Sequence, residues 1–138
     1  MQTELKFTIE GGDFEGAGMA ASATKKVLKQ LNIEKKIIKR TIVALYEGEV
    51  NIVAHTFRGE ITVSISNHRI QVVLKDTGPG IADIEKAMSE GFSTASPMVR
   101  QMGFGAGMGL PNMKKNADHL TVESTTNVGT TVTMIFNF

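Results

Sequence analysis

Cysteine is absent from these 138 residues, which removes both a disulfide framework and a thiolate metal site. No apolar run is long enough to span a bilayer, and the opening MQTELKFTIE lacks the basic start and apolar core of a signal peptide. A cytoplasmic protein is therefore expected. Net charge is nearly missing too. With 15 Lys and Arg against 14 Asp and Glu the formal charge is +1, which gives no electrostatic case for nucleic acid or an anionic membrane. Two phosphate signatures are also lacking: there is no GxxxxGK followed by Ser or Thr, and the glycine-rich run has glycine at every second residue, unlike the GxGxxG dinucleotide fingerprint.

Hydrophobic residues at 41% and charged residues at 21% are what a globular chain contains, and the length suits a single domain, 1–138, with one core. Leu5, Phe7 and Ile9 alternate as in a half-buried strand that ends at Gly11 and Gly12. Ala20, Ala23, Val27, Leu28 and Leu31 recur at helical spacing and predict a helix over Phe14 to Leu31, stopped by Asn32. A second helix is expected from about Glu34 to about Phe57. Ile61, Val63 and Ile65, then Ile70 to Lys75 after an Asn67-His68 turn, read as a β-hairpin. Short helices follow at Ile81 to Met88 and Leu110 to Ala117, and two strands finish the chain, Leu120 to Ser124 and Thr130 to Phe136, joined across Asn127 and Gly129. With helices between strand pairs, the expected fold is an α/β two-layer sandwich, a mixed, mostly antiparallel sheet covered on one face by helices.

The stretch from Asp76 to Asn112 is rich in glycine. DTGPGI opens it directly after an apolar strand, and GFGAGMGLPN closes it just where a helix should begin. Unshielded backbone N–H groups at Gly103, Gly105, Gly107 and Gly109 are suited to a phosphate chain at a helix start; a flexible linker would have the same composition. The Asp76-Thr77-Gly78 turn one loop upstream favours the phosphate lid, which is expected to become ordered around nucleotide. An ionised Asp76 only accepts hydrogen bonds, so it suits the exocyclic amine of adenine. Arg100 could reach a terminal phosphate, and Thr130 could bind nucleotide or simply suit a strand. In the second helix Glu47, Asn51 and His55 stand at i, i+4 and i+8 on one face, opposite Ile38, Ile42, Leu45 and Ile52. They offer a general base, an oxygen ligand for Mg²⁺ and a phosphate contact. Glu49, nearer the apolar side, is either an alternative carboxylate or a rim residue.

Together these pieces resemble the Bergerat-fold ATPases, the superfamily of DNA gyrase, sensor histidine kinases and mismatch-repair ATPases. The N box is similar to Glu47-x-x-x-Asn51-x-x-x-His55, the first glycine box to Asp76-x-Gly78-x-Gly80, the second to Gly105-x-Gly107-x-Gly109-Leu110, and the last turn and strand to Gly129-Thr130-Thr131-Val132. The wording DTGPGIADIEKAMSEGFST with GMGLPNMKK looks most like the bacterial anti-sigma-factor and stress-switch serine/threonine kinases. That resemblance implies a protein kinase using Mg-ATP on a small anti-sigma antagonist of the STAS type. Some members also bind a sigma factor or a PP2C-type phosphatase, and a homodimer is left open. It implies Glu47 as base, Asn51 as Mg²⁺ ligand, Asp76 as adenine reader, and a nucleotide site drawn also from His55, Gly78, Gly80, Ile81, Thr94, Arg100, Gly103, Gly105, Gly107, Met108, Gly109, Leu110 and Thr130. A histidine kinase is disfavoured, since His68 falls in a hairpin turn and His119 at a strand start. The rivals are an ATP-gated protein-binding module that transfers nothing, and a detached ATPase domain of a larger machine.

Overall fold

In the computed structural model, residues 2–88 and 109–138 are described. Five strands form one sheet in the order β1-β2-β3-β5-β4: β1 (Gln2–Glu10), β2 (Arg58–Ser66), β3 (Arg69–Thr77), β4 (His119–Thr125) and β5 (Gly129–Asn137). All four ladders are antiparallel, so the mixed, mostly antiparallel sheet expected narrows to an antiparallel one. Alternation does the sorting. Ile61, Val63 and Ile65 on β2, Ile70, Val72 and Leu74 on β3, and Val132, Met134 and Phe136 on β5 are buried, while the residues between them stay at least partly exposed. Among the described residues only one sheet face is covered, and each fully buried side chain of this kind contributes about 1.5–3 kcal/mol.

The covering layer contains α1 (Met19–Gln30), α2 (Lys35–His55), α3 (Ile84–Ala87) and α4 (Gly109–Asn116). The long α2 lies in the middle, against β1, β2 and β3 below, α1 on one flank and α4 on the other. Its seat depends on two glycines. A Cβ at Gly48 would run into the Leu74 side chain, and one at Gly59 of β2 would come within 2.8 Å of Ile52. Bare backbone at both places lets the helix lie close on the strands.

Two helices begin later than their sequence periodicity predicts. α1 starts at Met19 rather than Phe14, because Gly12 and Gly18 adopt φ of 83° and 98° and left-handed residues cannot continue a right-handed helix. The Asp13 carboxylate instead accepts the Gly16 N–H at 3.1 Å, closing a turn. α3 starts at Ile84 rather than Ile81. Gly80 is left-handed at φ 75°, the Ile81 N–H is donated sideways to Ser124 Oγ at 2.7 Å, and Asp83 caps the helix by accepting from Lys86 N at 3.1 Å.

The order of strands explains the position of the glycine-rich stretch. β3 ends at Thr77, its neighbour in the sheet is β5, and the chain between them must travel out to the edge strand β4 before returning along β5. The described end of that connection, α4, packs on α2 beside Asn51 and Glu47.

Candidate functional site

Asp76 is the penultimate residue of β3, opposite Gly59 of β2. Its Oδ1 accepts the Thr130 N–H at 3.1 Å, which fixes the carboxylate and leaves Oδ2 as the oxygen to offer. Burial pushes this carboxyl above the usual aspartate range, with the Thr130 hydrogen bond acting in the opposite sense. Gly78 follows with its N–H donated to Val128 O; a Cβ there would lie 3.1 Å from Thr56 and 3.5 Å from Asp76 Oδ1. A Cβ at Gly80 would collide with the Thr125 carbonyl, and one at Gly129 with the Asp76 carbonyl. The mouth beside Asp76 is thus built of close backbone approaches.

Thr130 enters this arrangement differently from the sequence reading. It is 7% exposed, and its hydroxyl is 2.8 Å from Ser124 Oγ, the atom that accepts the Ile81 N–H. Its N–H orients Asp76, and its hydroxyl ties β5 to β4 and to the turn at Ile81. Ser124 was not singled out from sequence. Its partners lie 5, 6 and 43 residues away, so no local pattern marks it.

On α2 the stripe of Glu47, Asn51 and His55 is half-buried along its length, on the side where α4 packs. Glu47 Oε1 accepts from Asn112 Nδ2 at 3.2 Å. The Asn51 amide lies against the first residue of α4, since a Cβ on Gly109 would come within 2.7 Å of both its Oδ1 and Nδ2. The start of α4 is therefore brought directly to the Glu47 and Asn51 side chains. Asn112 is the second residue missed by sequence reading, and its link to Glu47 spans 65 positions. Burial lowers the His55 pKa, so near neutrality its imidazole is uncharged. Leu110 is buried; its side chain belongs to the core, and only its backbone faces the question of nucleotide.

Glu49 is neither a rim residue nor an alternative base. It is 0% exposed, and its two carboxylate oxygens accept the Ala20 and Ala21 N–H groups at 3.0 and 3.1 Å. Those are first-turn donors of α1, a helix whose N-cap, Gly18, offers no side-chain bond. A carboxylate is favoured there by both the open donors and the helix dipole.

Thr94, Arg100, Gly103, Gly105, Gly107 and Met108, with the lid they were expected to form, lie outside the described residues. Among the described residues no group of three or more His, Cys, Asp or Glu could hold a metal ion. Asn51 offers a single amide oxygen. That donor set fits Mg²⁺, which keeps water and phosphate oxygens around itself and takes few protein ligands.

A family model described as "Histidine kinase-, DNA gyrase B-, and HSP90-like ATPase" matches residues 37–138. The chain is similar to serine/threonine-protein kinase RsbT of Bacillus subtilis (strain 168), 30% identical over 115 residues that make up 80% of each chain. It is 31% identical to an anti-sigma F factor of Caldanaerobacter subterraneus subsp. tengcongensis over 95% of this chain and 90% of the other. For the anti-sigma F factor of Thermoanaerobacter sp. (strain X514) identity is 40% over 66% of this chain and 64% of that one. Among solved structures, the RsbU and RsbW domains of Rv1364c from Mycobacterium tuberculosis share the fold at a TM-score of 0.64 and 15% identity, covering 97% of this chain and 32% of that one.

Proposed function

The chain belongs to the histidine kinase-, DNA gyrase B- and HSP90-like ATPase family, and from that premise we propose that it is an ATP-dependent serine/threonine protein kinase of the anti-sigma-factor type. The proposed substrate is a small STAS-type antagonist protein. One observation carries the reading. Glu47 and Asn51 project from one face of α2 onto the start of α4, at the end of the glycine-rich stretch that begins at Asp76.

Each residue then has a task. Asp76 Oδ2 accepts the adenine amine while Thr130 N–H holds Oδ1. The start of α4 presents backbone N–H groups to the phosphates. Asn51 would hold a Mg²⁺ ion through its one amide oxygen, and the ion would supply positive charge to offset that of the phosphates. Glu47 takes the proton of a serine or threonine hydroxyl as that oxygen bonds to the γ-phosphorus and the bond to the ADP oxygen breaks. Asn112 keeps the Glu47 carboxylate turned toward α4. Phosphoryl transfer needs little more from a protein than placement and charge neutralisation. Glu49, fully engaged with α1, leaves the role of base to Glu47.

A second reading is an ATP-gated protein-binding module that transfers nothing, supported by the relatives named anti-sigma F factor. The test is to incubate the protein with γ-labelled ATP and a protein extract, then identify what is labelled. Label on the serine or threonine of a STAS-type protein is the expected result. Nucleotide-dependent capture of a protein that never acquires label would establish the binding module instead.

A further inference from the structure

We infer that the outward face of α2, from Lys36 to Glu47, is the docking surface for the protein that receives the phosphoryl group, and that this partner presents an acidic segment followed by an apolar residue. The inference rests on the kinase reading and names the partner chemistry of that same site. The formal charge of +1 hides a strong asymmetry. Between residues 25 and 40 there are six lysines and one arginine against a single acid, Glu34, so seven of the chain's 15 basic residues fall in this short span. The span covers the C-terminal half of α1, the turn after it and the first turns of α2. These two helices pack against each other, so the cations gather at one end of the helical layer. All six lysines are exposed. Arg40 is tied to Asp118 at 3.2 Å and to the Asn116 carbonyl at 3.4 Å, and it anchors α2 to the end of α4.

The same outward face changes character along its length. Lys36, Lys39 and Val43 follow one another at helical spacing, and Tyr46 completes the next turn. Val43 is 38% and Tyr46 43% exposed, and Met19, at the start of α1, is 66% exposed. Tyr46 and α1 are neighbours: a Cβ on Gly18 would lie 3.2 Å from the Tyr46 ring. Glu47 comes next in the chain and stands four residues, one helical turn, after Val43. A single face thus runs from cations, through exposed apolar side chains, to the carboxylate that is to receive the acceptor proton.

A partner that delivers a hydroxyl to Glu47 comes within one helical turn of Val43 and Tyr46, with the lysines further along the same helix. Exposed tyrosine and methionine beside a site are the side chains that anchor protein interfaces, and lysines around such an anchor steer an oppositely charged surface into register. A nucleic acid backbone would use the lysines and leave the apolar strip idle. An anionic bilayer would use both but would be repelled by the Glu47 carboxylate at the end of the strip.

The test measures phosphate transfer to the acceptor protein identified by labelling, as KM and kcat, for wild type, Lys36→Glu with Lys39→Glu, and Tyr46→Asp. ATP affinity and circular dichroism are measured on each variant as controls for folding. Both variants are expected to raise the acceptor KM by about tenfold or more, with ATP affinity and kcat at saturating acceptor unchanged. Added salt should raise the wild-type KM and leave that of the lysine variant nearly flat. Wild-type KM in both variants, with transfer intact, overturns the docking surface while the kinase reading stands. A wild type that labels nothing overturns the kinase reading and removes the surface's occupant with it. Two further arms use phosphatidylserine vesicles and duplex DNA. Binding to either that is lost in the lysine variant, with acceptor KM unmoved, reassigns the face to that surface and overturns the proposal.

Discussion

At Asp76 one oxygen is held and the other is on offer, and the chemistry of the site turns on which it can be. An amide in place of the carboxylate puts an N–H where adenine also presents one, a mismatch of roughly 1–3 kcal/mol for a buried group. Asp76→Asn is therefore expected to weaken ATP binding by about ten- to a hundredfold. Calorimetric titration checks this, and equal affinity in both proteins would take Asp76 out of the site. Because burial raises the Asp76 carboxyl above its usual range, it takes up a proton at higher pH than an exposed aspartate does. The protonated form loses an acceptor. ATP affinity should accordingly fall as pH drops through that raised value, and the fall should be absent in Asp76→Asn. The Glu47, Asn51 and His55 stripe was legible from sequence because a helix repeats its face every three to four residues. Asn112 and Ser124 were not legible, because their roles exist only once α4 meets α2 and β4 meets β5.

Among the elements, α2 carries the Glu47, Asn51 and His55 stripe and is held from two sides. Glu49 ties it to α1 through the Ala20 and Ala21 N–H groups. Glu49→Ala leaves two first-turn donors buried without an acceptor, and roughly 3 kcal/mol of stability should be lost. Urea unfolding measures it; an unchanged midpoint would show that α1 does not depend on this bond. Gly48→Ala tests the seat on the sheet. In an open helix alanine would stabilise by about 1 kcal/mol over glycine, but here the added carbon meets Leu74. Overpacking of this kind costs about 1–3 kcal/mol, so a net loss of stability is expected in the same unfolding experiment, and a gain would mean that Leu74 gives way freely. The strands were readable from alternation alone, within one to three residues at each end. The starts of α1 and α3 were not, since residues 14–18 and 81–83 were read as helix while the backbone is turned by Gly12, Gly18 and Gly80. Glu49 read as an alternative carboxylate or a rim residue because the donors it serves are 28 and 29 residues away.

For the whole molecule, two titrations leave separate marks on stability. His55 is held neutral by burial, so the unfolded chain binds its proton more readily than the folded one. Stability should fall as pH drops below about 6.5, the ordinary histidine value, and should stop falling for this reason once the lowered folded value is passed. Asp118 has the opposite origin. The Asn137 N–H and Arg40 hold its pKa down, so its contribution is present above the usual aspartate range and is lost as pH falls through the lowered value. His55→Gln should flatten the first slope and leave the second, as followed by urea midpoints across pH; an unchanged first slope would mean that His55 is not its source. At this scale the charge of +1 was a poor guide, since it averages a basic end of the helical layer with acids elsewhere in the chain. If Glu47 is the base for phosphate transfer, Glu47→Gln separates chemistry from binding when phosphate transfer to the acceptor protein and ATP affinity are measured on the same preparation. The expected result is ATP affinity close to that of wild type and transfer slowed by roughly 10²- to 10⁴-fold. Transfer at the wild-type rate with the carboxylate gone would contradict it.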